Sequence, residues 1–180
     1  SAVERRAEWF VKEGNPQNVA NVVWSCATLG VDAPALFSAV AKKGEWLVKE
    51  GNPQNVANVV WAFGTQAVEA PALFSAVERR AEWFVQQGKP QEVANAVWSC
   101  ATLGVDSPAL FSAVERRADW FVKEGTPQAV ANAVWSCASL GVDAPALFSA
   151  VERRAEWFVK EGKPQEIAIA VWACGTLGVD

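Results

Sequence analysis

The sequence contains no histidine, tyrosine or methionine, which limits the chemistry that its side chains can perform. Histidine is the usual general acid or base near neutral pH and a common metal ligand. Nor does the sequence contain a glycine-rich phosphate loop, a metal-ligand motif or a nucleophile elbow. We therefore expect that the protein is not an enzyme, and we predict no catalytic residue, no cofactor and no metal site.

Long apolar runs are also missing, because no stretch approaches the roughly 20 residues that a membrane-spanning helix needs.

Cysteine is scarce. The four cysteines recur at one position of a repeat: Cys26, Cys100, Cys137 and Cys174. In the remaining copy, Phe63 occupies this position. A position that accepts phenylalanine is typical of a core. Unpaired spacing argues against disulfides or zinc, so we predict buried free thiols and a reducing intracellular compartment.

A period of 37 residues dominates the sequence. It is marked by two series of prolines, Pro16, Pro53, Pro90, Pro127 and Pro164, and Pro34, Pro71, Pro108 and Pro145. Periods of about 20–50 residues are typical of solenoids, in which each unit packs on its neighbours. The chain is thus predicted to be one helical-repeat array, with a partial repeat over 1–32 and full repeats over 33–69, 70–106, 107–143 and 144–180.

Neither end of the array has the polar, atypical sequence that normally closes a solenoid. This pattern favours a piece of a longer array, or an engineered or processed segment. It also predicts that copies can associate end to end.

Each unit is predicted to form two helices. In one copy the first helix starts at Pro71, with apolar residues at helical spacing through Val85. Asp32, Asp106 and Asp143 precede such starts, where a carboxylate and an early proline both favour a helix N-terminus.

The second helix begins at Pro16 and its equivalents and ends at Gly30. Its apolar residues, Trp24 among them, cover more than half the circumference, so we expect burial on several sides. A narrow polar stripe contains Gln17, Asn21, Ser25 and Thr28. The short turn between the helices predicts an all-α fold, an α-solenoid of stacked antiparallel helical hairpins in a right- or left-handed superhelix.

Residues 16–30, with the sequence PQNVANVVWSCATLG, resemble the octotricopeptide repeat. The matching positions of the third copy are Ala94, Asn95, Trp98, Ala101, Leu103 and Gly104. The 37-residue length is similar to that of the related heptatricopeptide repeat. This resemblance implies a protein of the chloroplast or mitochondrion that binds single-stranded RNA and governs its processing, stability or translation.

A pair of basic residues in the first helix of each unit is one candidate RNA-binding surface. Such a ladder of cations could hold phosphates: Arg5, Arg6, Lys42, Lys43, Arg79, Arg80, Arg116, Arg117, Arg153 and Arg154. The nearby tryptophans could stack on bases: Trp9, Trp46, Trp83, Trp120 and Trp157. Alternatively, these tryptophans pack on the next repeat and are covered by the arginine stems.

The polar stripe of the second helix is the other candidate, because one uncharged amide per repeat suits base reading. Its residues are Asn21, Asn58, Asn95 and Asn132, together with Ser25, Ser99 and Ser136. Ile169 replaces the asparagine in the last copy. A structural ladder of asparagine hydrogen bonds is the alternative interpretation.

The net charge of −4 argues against a simple RNA-binding domain, since such domains are usually basic overall or on one face. We predict a modular single-stranded RNA-binding array whose recurrent Arg/Lys pairs hold phosphates, with the asparagines as candidate base contacts. The alternative is a scaffold that binds a protein partner along its concave face.

Overall fold

The computed structural model describes residues 2–179, with side chains for residues 4–179. This part of the chain folds into fifteen helices with no strand, which confirms the all-α solenoid prediction. Their bounds are α1 Ala2–Arg5, α2 Ala7–Glu13, α3 Pro16–Leu29, α4 Pro34–Ala41, α5 Gly44–Glu50, α6 Pro53–Thr65, α7 Pro71–Arg79, α8 Ala81–Gln87, α9 Pro90–Leu103, α10 Pro108–Arg116, α11 Ala118–Glu124, α12 Pro127–Leu140, α13 Pro145–Arg153, α14 Ala155–Glu161 and α15 Pro164–Leu177.

Each full unit contains three helices, so the prediction of one continuous first helix is wrong. The helix divides at the second residue of the basic pair. Arg80, for example, has φ −114° and ψ 22°, which lies outside the helical region. Arg117 and Arg154 have nearly the same angles. The apolar spacing continues across the break from Val77 to Phe84, and for this reason the sequence pattern did not reveal it.

The helices form two layers. The third helices of successive units, α3, α6, α9, α12 and α15, pack side by side in what we call the third-helix layer. In the other layer, the second helix of each unit packs on the first helix of the next, as α8 does on α10. Leucines and phenylalanines such as Leu73, Leu110, Phe84 and Phe121 are fully buried in the continuous core. Burial of each such side chain stabilises the fold by about 1.5–3 kcal/mol.

Glutamates join consecutive units at the start of the first helix. The carboxylate of Glu78 accepts hydrogen bonds from the backbone N–H groups of Ala109 (2.6 Å) and Leu110 (3.0 Å) in the next unit. Glu115 binds Ala146 and Leu147 in the same way.

The helices begin at the predicted prolines, but Asp32, Asp106 and Asp143 do not cap them. The N-cap residues are Ala33, Ser107 and Ala144, without side-chain capping bonds. In all three of these starts, the stacking of units brings the required carboxylate from a residue 31–32 positions earlier: Glu4 for α4, Glu78 for α10 and Glu115 for α13.

The unit at 33–69 docks more closely on its neighbour than the other units do. Ala41 stands where other units have the capping glutamate, and Gly44 stands where they have alanine. A Cβ atom added to Gly44 would lie 2.5 Å from Cα and 2.7 Å from the backbone N of Leu73. The glycine is therefore required by the close approach of α5 and α7.

Burial of the thiols differs along the array. Cys100 and Cys137 are buried, whereas Cys26 and Cys174 in the terminal units are half-buried, and all four are free. Burial raises the pKa of Cys100 to about 11 and the pKa of Cys137 to about 12. These two thiols are therefore neutral near pH 7 and behave as small apolar core residues.

Replacing Glu115 with alanine is expected to reduce the free energy of unfolding by about 1–2 kcal/mol, because two helix N–H groups lose their charged acceptor. Chemical denaturation measures the change. Glu152→Ala is the matched control, since Glu152 occupies the same position in the last unit, where the described chain has no following helix. Equal effects of the two substitutions would contradict this role.

Gly44→Ala is expected to destabilise the protein by about 1–3 kcal/mol, although alanine is the better helix former and occupies this position in the other units. The backbone of Leu73 leaves no room for the methyl group. Gly175→Ala is the control, because a Cβ at Gly175 would meet no atom within 4 Å. That substitution should stabilise α15 by about 0.5–1 kcal/mol. A stabilising effect of Gly44→Ala would refute the close-packing argument.

Candidate nucleic-acid interface

In four of the five basic pairs, the first residue is exposed and forms an ion pair with an acidic residue of the preceding unit. Lys42 Nζ lies 2.8 Å from a carboxylate oxygen of Glu8, and Arg79 Nη2 lies 2.6 Å from Glu45. The equivalent pairs are Arg116 with Glu82 and Arg153 with Asp119. Exposed pairs of this kind contribute only about 0–1 kcal/mol, so these cations can exchange the carboxylate for another anion.

In three of the pairs, the second residue is fixed by a hydrogen bond to a backbone carbonyl and by contact with a tryptophan ring. Arg117 donates a hydrogen bond to the backbone carbonyl of Val85 (2.6 Å), at the C-terminal end of the preceding unit's second helix. Its guanidinium also lies 3.9 Å from the ring centroid of Trp120. Arg80 and Arg154 make the same two contacts. Each of these arginines therefore joins two units, at a place where helix carbonyls lack partners within the helix.

The tryptophans of the second helices serve as platforms for these arginines. The guanidinium lies over the ring in four units, with Arg6 over Trp9 at 3.8 Å. Trp46, Trp83, Trp120 and Trp157 are half-buried against the core. In Trp83, Trp120 and Trp157 the arginine already covers one ring face, which supports the packing interpretation of the sequence over the base-stacking one.

The asparagines lie on the third-helix layer. Asn21 is exposed, and Asn58, Asn95 and Asn132 are half-buried. Gln91 Nε2 donates a hydrogen bond to Asn95 Oδ1 at 3.3 Å, which orients that amide within its own helix. The serines differ, since Ser99 and Ser136 are fully buried and donate to the backbone carbonyls of Asn95 and Asn132. The asparagines are therefore accessible, whereas these two serines are not.

A second series of tryptophans, which the sequence pattern had placed with the buried residues, lies beside the asparagines. Trp24 is 43% and Trp172 is 48% exposed, while Trp61, Trp98 and Trp135 are half-buried. Each follows an asparagine, or Ile169, by three residues and so shares its helix face. We call this surface the Asn–Trp strip: Asn21, Asn58, Asn95, Asn132, Trp24, Trp61, Trp98, Trp135 and Trp172.

The first two rings of the Asn–Trp strip lie close to each other. The centroids of Trp24 and Trp61 are 6.4 Å apart, with an interplanar angle of 37°. A shallow depression lies between Trp135 and Trp172, lined also by Gln165, Ala168 and Ile169. A regular asparagine–tryptophan spacing of three residues was the signal in the sequence that could have identified this surface.

The two candidate surfaces lie on different layers. The Asn–Trp strip occupies the third helices, which carry no charged residue after the first turn. The basic pairs lie at the junction of the first and second helices, in the opposite layer. The structure thus brings the asparagines together with tryptophans and not with the arginines.

Comparison with known proteins places this repeat array in a family. Residues 2–179 match a sequence profile described as RNA-editing substrate-binding complex 6 protein. Because the match extends over nearly the whole chain, the chain belongs to that family. The match does not confirm the more specific resemblance to octotricopeptide or heptatricopeptide repeats. No curated protein matched the chain in a direct sequence comparison.

Within residues 2–179, no helix has the length and apolar character required to cross a bilayer. In the same part of the chain, no three cysteine or acidic side chains cluster in a way that could hold a metal ion.

Arg117→Gln is expected to lower the free energy of unfolding by about 1.5–3 kcal/mol, since it removes a charged hydrogen bond to Val85 and the contact with Trp120. Arg116→Gln removes only an exposed ion pair and should change stability by less than about 0.5 kcal/mol. Urea denaturation of both variants measures the difference. If both substitutions had the same small effect, the second arginine would not be a structural residue.

Proposed function

We propose that the chain binds single-stranded RNA as a scaffold component of an RNA-editing complex. The Asn–Trp strip is the observation that carries this proposal, because it repeats one amide and one aromatic ring in four units along the array. Membership in the RNA-editing substrate-binding complex 6 family supports it. The proposed activity is binding and not catalysis.

The chemistry of the strip suits unpaired bases. A base that stacks on an exposed aromatic ring contributes about 1–3 kcal/mol, and stacking tolerates any base. An asparagine amide beside the ring can donate to and accept from a base edge. Since the units are nearly identical, the strip should prefer a nearly uniform RNA sequence, with a different preference at Ile169.

The exposed members of the basic pairs lie in the opposite layer from the Asn–Trp strip, so in this proposal they bind the phosphates of a different RNA segment from the one whose bases contact the strip. Lys42, Arg79, Arg116 and Arg153 hold their carboxylate partners only at the surface, and a phosphate can compete for them. The second arginines are already bound to backbone carbonyls.

The family and the resemblance together also support an organellar setting, in the mitochondrion or chloroplast.

A protein-binding scaffold is the second candidate. The net charge of −4 and the uncharged Asn–Trp strip favour it, because neither attracts an RNA backbone over a distance. Tryptophans are also frequent anchors in protein interfaces.

Fluorescence anisotropy with a labelled pool of random single-stranded RNA tests the proposal at about 50 and 200 mM salt. The triple variant Asn58→Ala, Asn95→Ala and Asn132→Ala should bind at least about tenfold more weakly at both salt concentrations, because base hydrogen bonds are lost. Gln86→Ala with Gln87→Ala is the control, since these exposed amides lie in α8, away from the strip.

The quadruple variant of Lys42, Arg79, Arg116 and Arg153 to glutamine separates the phosphate contacts from the base contacts. It should reduce the salt dependence of binding while the fold remains intact. Loss of binding in this variant alone, with the asparagine variant unaffected, would move the site to the basic pairs. No binding by the wild-type chain at low salt would overturn the RNA proposal and favour the protein-binding scaffold.

A further inference from the structure

Two interior units each contain a depression beside the start of their first helix. In the unit at 70–106, the depression lies between the start of α7 and the loop that follows α9, and its volume is about 360 Å³. The unit at 33–69 contains a depression of about 310 Å³, and each of its lining residues lies 37 positions before one that lines the first depression. The depression is therefore a feature of the repeat and not of one unit.

The lining of these depressions combines apolar side chains with carboxylates. Phe74 is buried, Val105 is half-buried, and the exposed carboxylates of Glu69 and Asp106 come from two consecutive loops. Glu69 lines both depressions, so they are neighbours along the array and form one continuous surface. We call this surface the acidic groove and define it by Asp32, Glu69, Asp106, Val68, Phe74 and Val105.

The three carboxylates of the acidic groove are not balanced by cations. None of them forms an ion pair with another residue of the described side chains, 4–179. The segments 64–75 and 101–112, which supply most of the lining, contain no lysine or arginine. Arg79 donates a hydrogen bond to the lining residue Ser75 (2.8 Å), but its charge is paired with Glu45.

Acidic residues at the opposite ends of the third helices have cationic partners. Lys49 Nζ lies 3.4 Å from a carboxylate oxygen of Glu50, and Lys123 Nζ lies 3.8 Å from one of Glu124. The acidic groove therefore differs from that edge of the array, because its own surroundings leave its negative charge unpaired.

The stacking of units sets the spacing of these carboxylates. The third helices pack side by side, and helices in contact lie about 8–10 Å apart. The loops that follow these helices carry the carboxylates, so we expect a similar spacing between them. A polyproline II segment rises about 3.1 Å per residue with three residues per turn, so every third side chain lies on one side at intervals of about 9 Å.

We propose that the acidic groove binds an extended basic segment of a protein partner, with lysine or arginine at every third position and apolar residues between them. The cations pair with carboxylates of successive units, and the apolar residues pack on Val68, Phe74 and Val105. RNA does not fit here, since its phosphates would meet unpaired carboxylates. The groove shares no residue with the Asn–Trp strip, so one array has room for both ligands.

Fluorescence anisotropy with a labelled ten-residue peptide, Lys-Val-Pro-Lys-Val-Pro-Lys-Val-Pro-Lys, tests the proposal. At about 50 mM salt, we expect a Kd on the order of 10–100 μM, because each exposed ion pair contributes little. Binding should weaken at about 200 mM salt, where exposed charges are screened. A peptide of the same composition with its four lysines adjacent should bind about fivefold more weakly, since its cations do not match the spacing of the carboxylates.

A charge variant with a matched control locates the peptide. Glu69→Gln with Asp106→Asn should weaken binding about fivefold, because two ion pairs are lost. Glu50→Gln with Glu124→Gln changes the net charge by the same amount at the opposite edge and should change binding by less than about twofold. All four carboxylates are exposed, so the fold should persist, which circular dichroism checks.

Val68→Thr with Val105→Thr tests the apolar part of the groove and should weaken binding about threefold, because apolar contacts are lost. Unchanged binding in this variant would show that charge alone holds the peptide and would overturn the groove. Equal weakening by the two charge variants, equal binding of the two lysine peptides, or no binding at low salt up to about 1 mM protein would also overturn the proposal.

The test is independent of the RNA-binding proposal. The variant with Glu69→Gln and Asp106→Asn should bind the random RNA pool as the wild type does, because neither residue belongs to the Asn–Trp strip or to the basic pairs. A chain that binds the peptide but no RNA would support the acidic groove and contradict only the RNA-binding proposal.

Discussion

Consecutive units complete one another's hydrogen bonds. Helix ends leave backbone groups without partners inside the helix, and here the neighbouring unit supplies them. Glu78 binds the amides at the start of α10, and Arg117 binds a carbonyl at the end of α8. One junction thus receives a carboxylate from the unit before it and a guanidinium from the unit after it. Stability in such an array is approximately the sum of unit and junction contributions.

Because charged side chains form the contacts between units, they determine which surface is free for a ligand. The second arginines are held by carbonyls and by tryptophan rings, and the first cations are paired with acids of the preceding unit. The acidic residues that lower the net charge therefore also serve the junctions. The third-helix layer contributes few charges to these contacts, and its Asn–Trp strip remains accessible. An overall acidic chain can in this way keep a neutral, aromatic surface suited to bases.

The unit at 33–69 shows that a junction tolerates coordinated change. It lacks the capping glutamate, since Ala41 occupies that position, and Gly44 brings its backbone against Leu73. Gly64 similarly admits Ser99 of the next unit. Phe63, which replaces the cysteine, packs against Phe37 with ring centroids 4.9 Å apart. In this unit, the loss of the glutamate's capping hydrogen bonds is thus accompanied by closer backbone packing at Gly44 and by a larger core side chain at Phe63.

The sequence by itself determined the 37-residue unit, the helix starts at proline and the all-α solenoid, because these depend on local spacing and on turn residues. It also identified the asparagines as a surface series. The break at Arg80, the capping by Glu78 and the exposure of Trp24 were decided only by the tertiary structure. Apolar spacing fixes the angular position of a residue on its helix. It does not say which sector the neighbouring unit covers, since that depends on contacts between residues more than 30 positions apart.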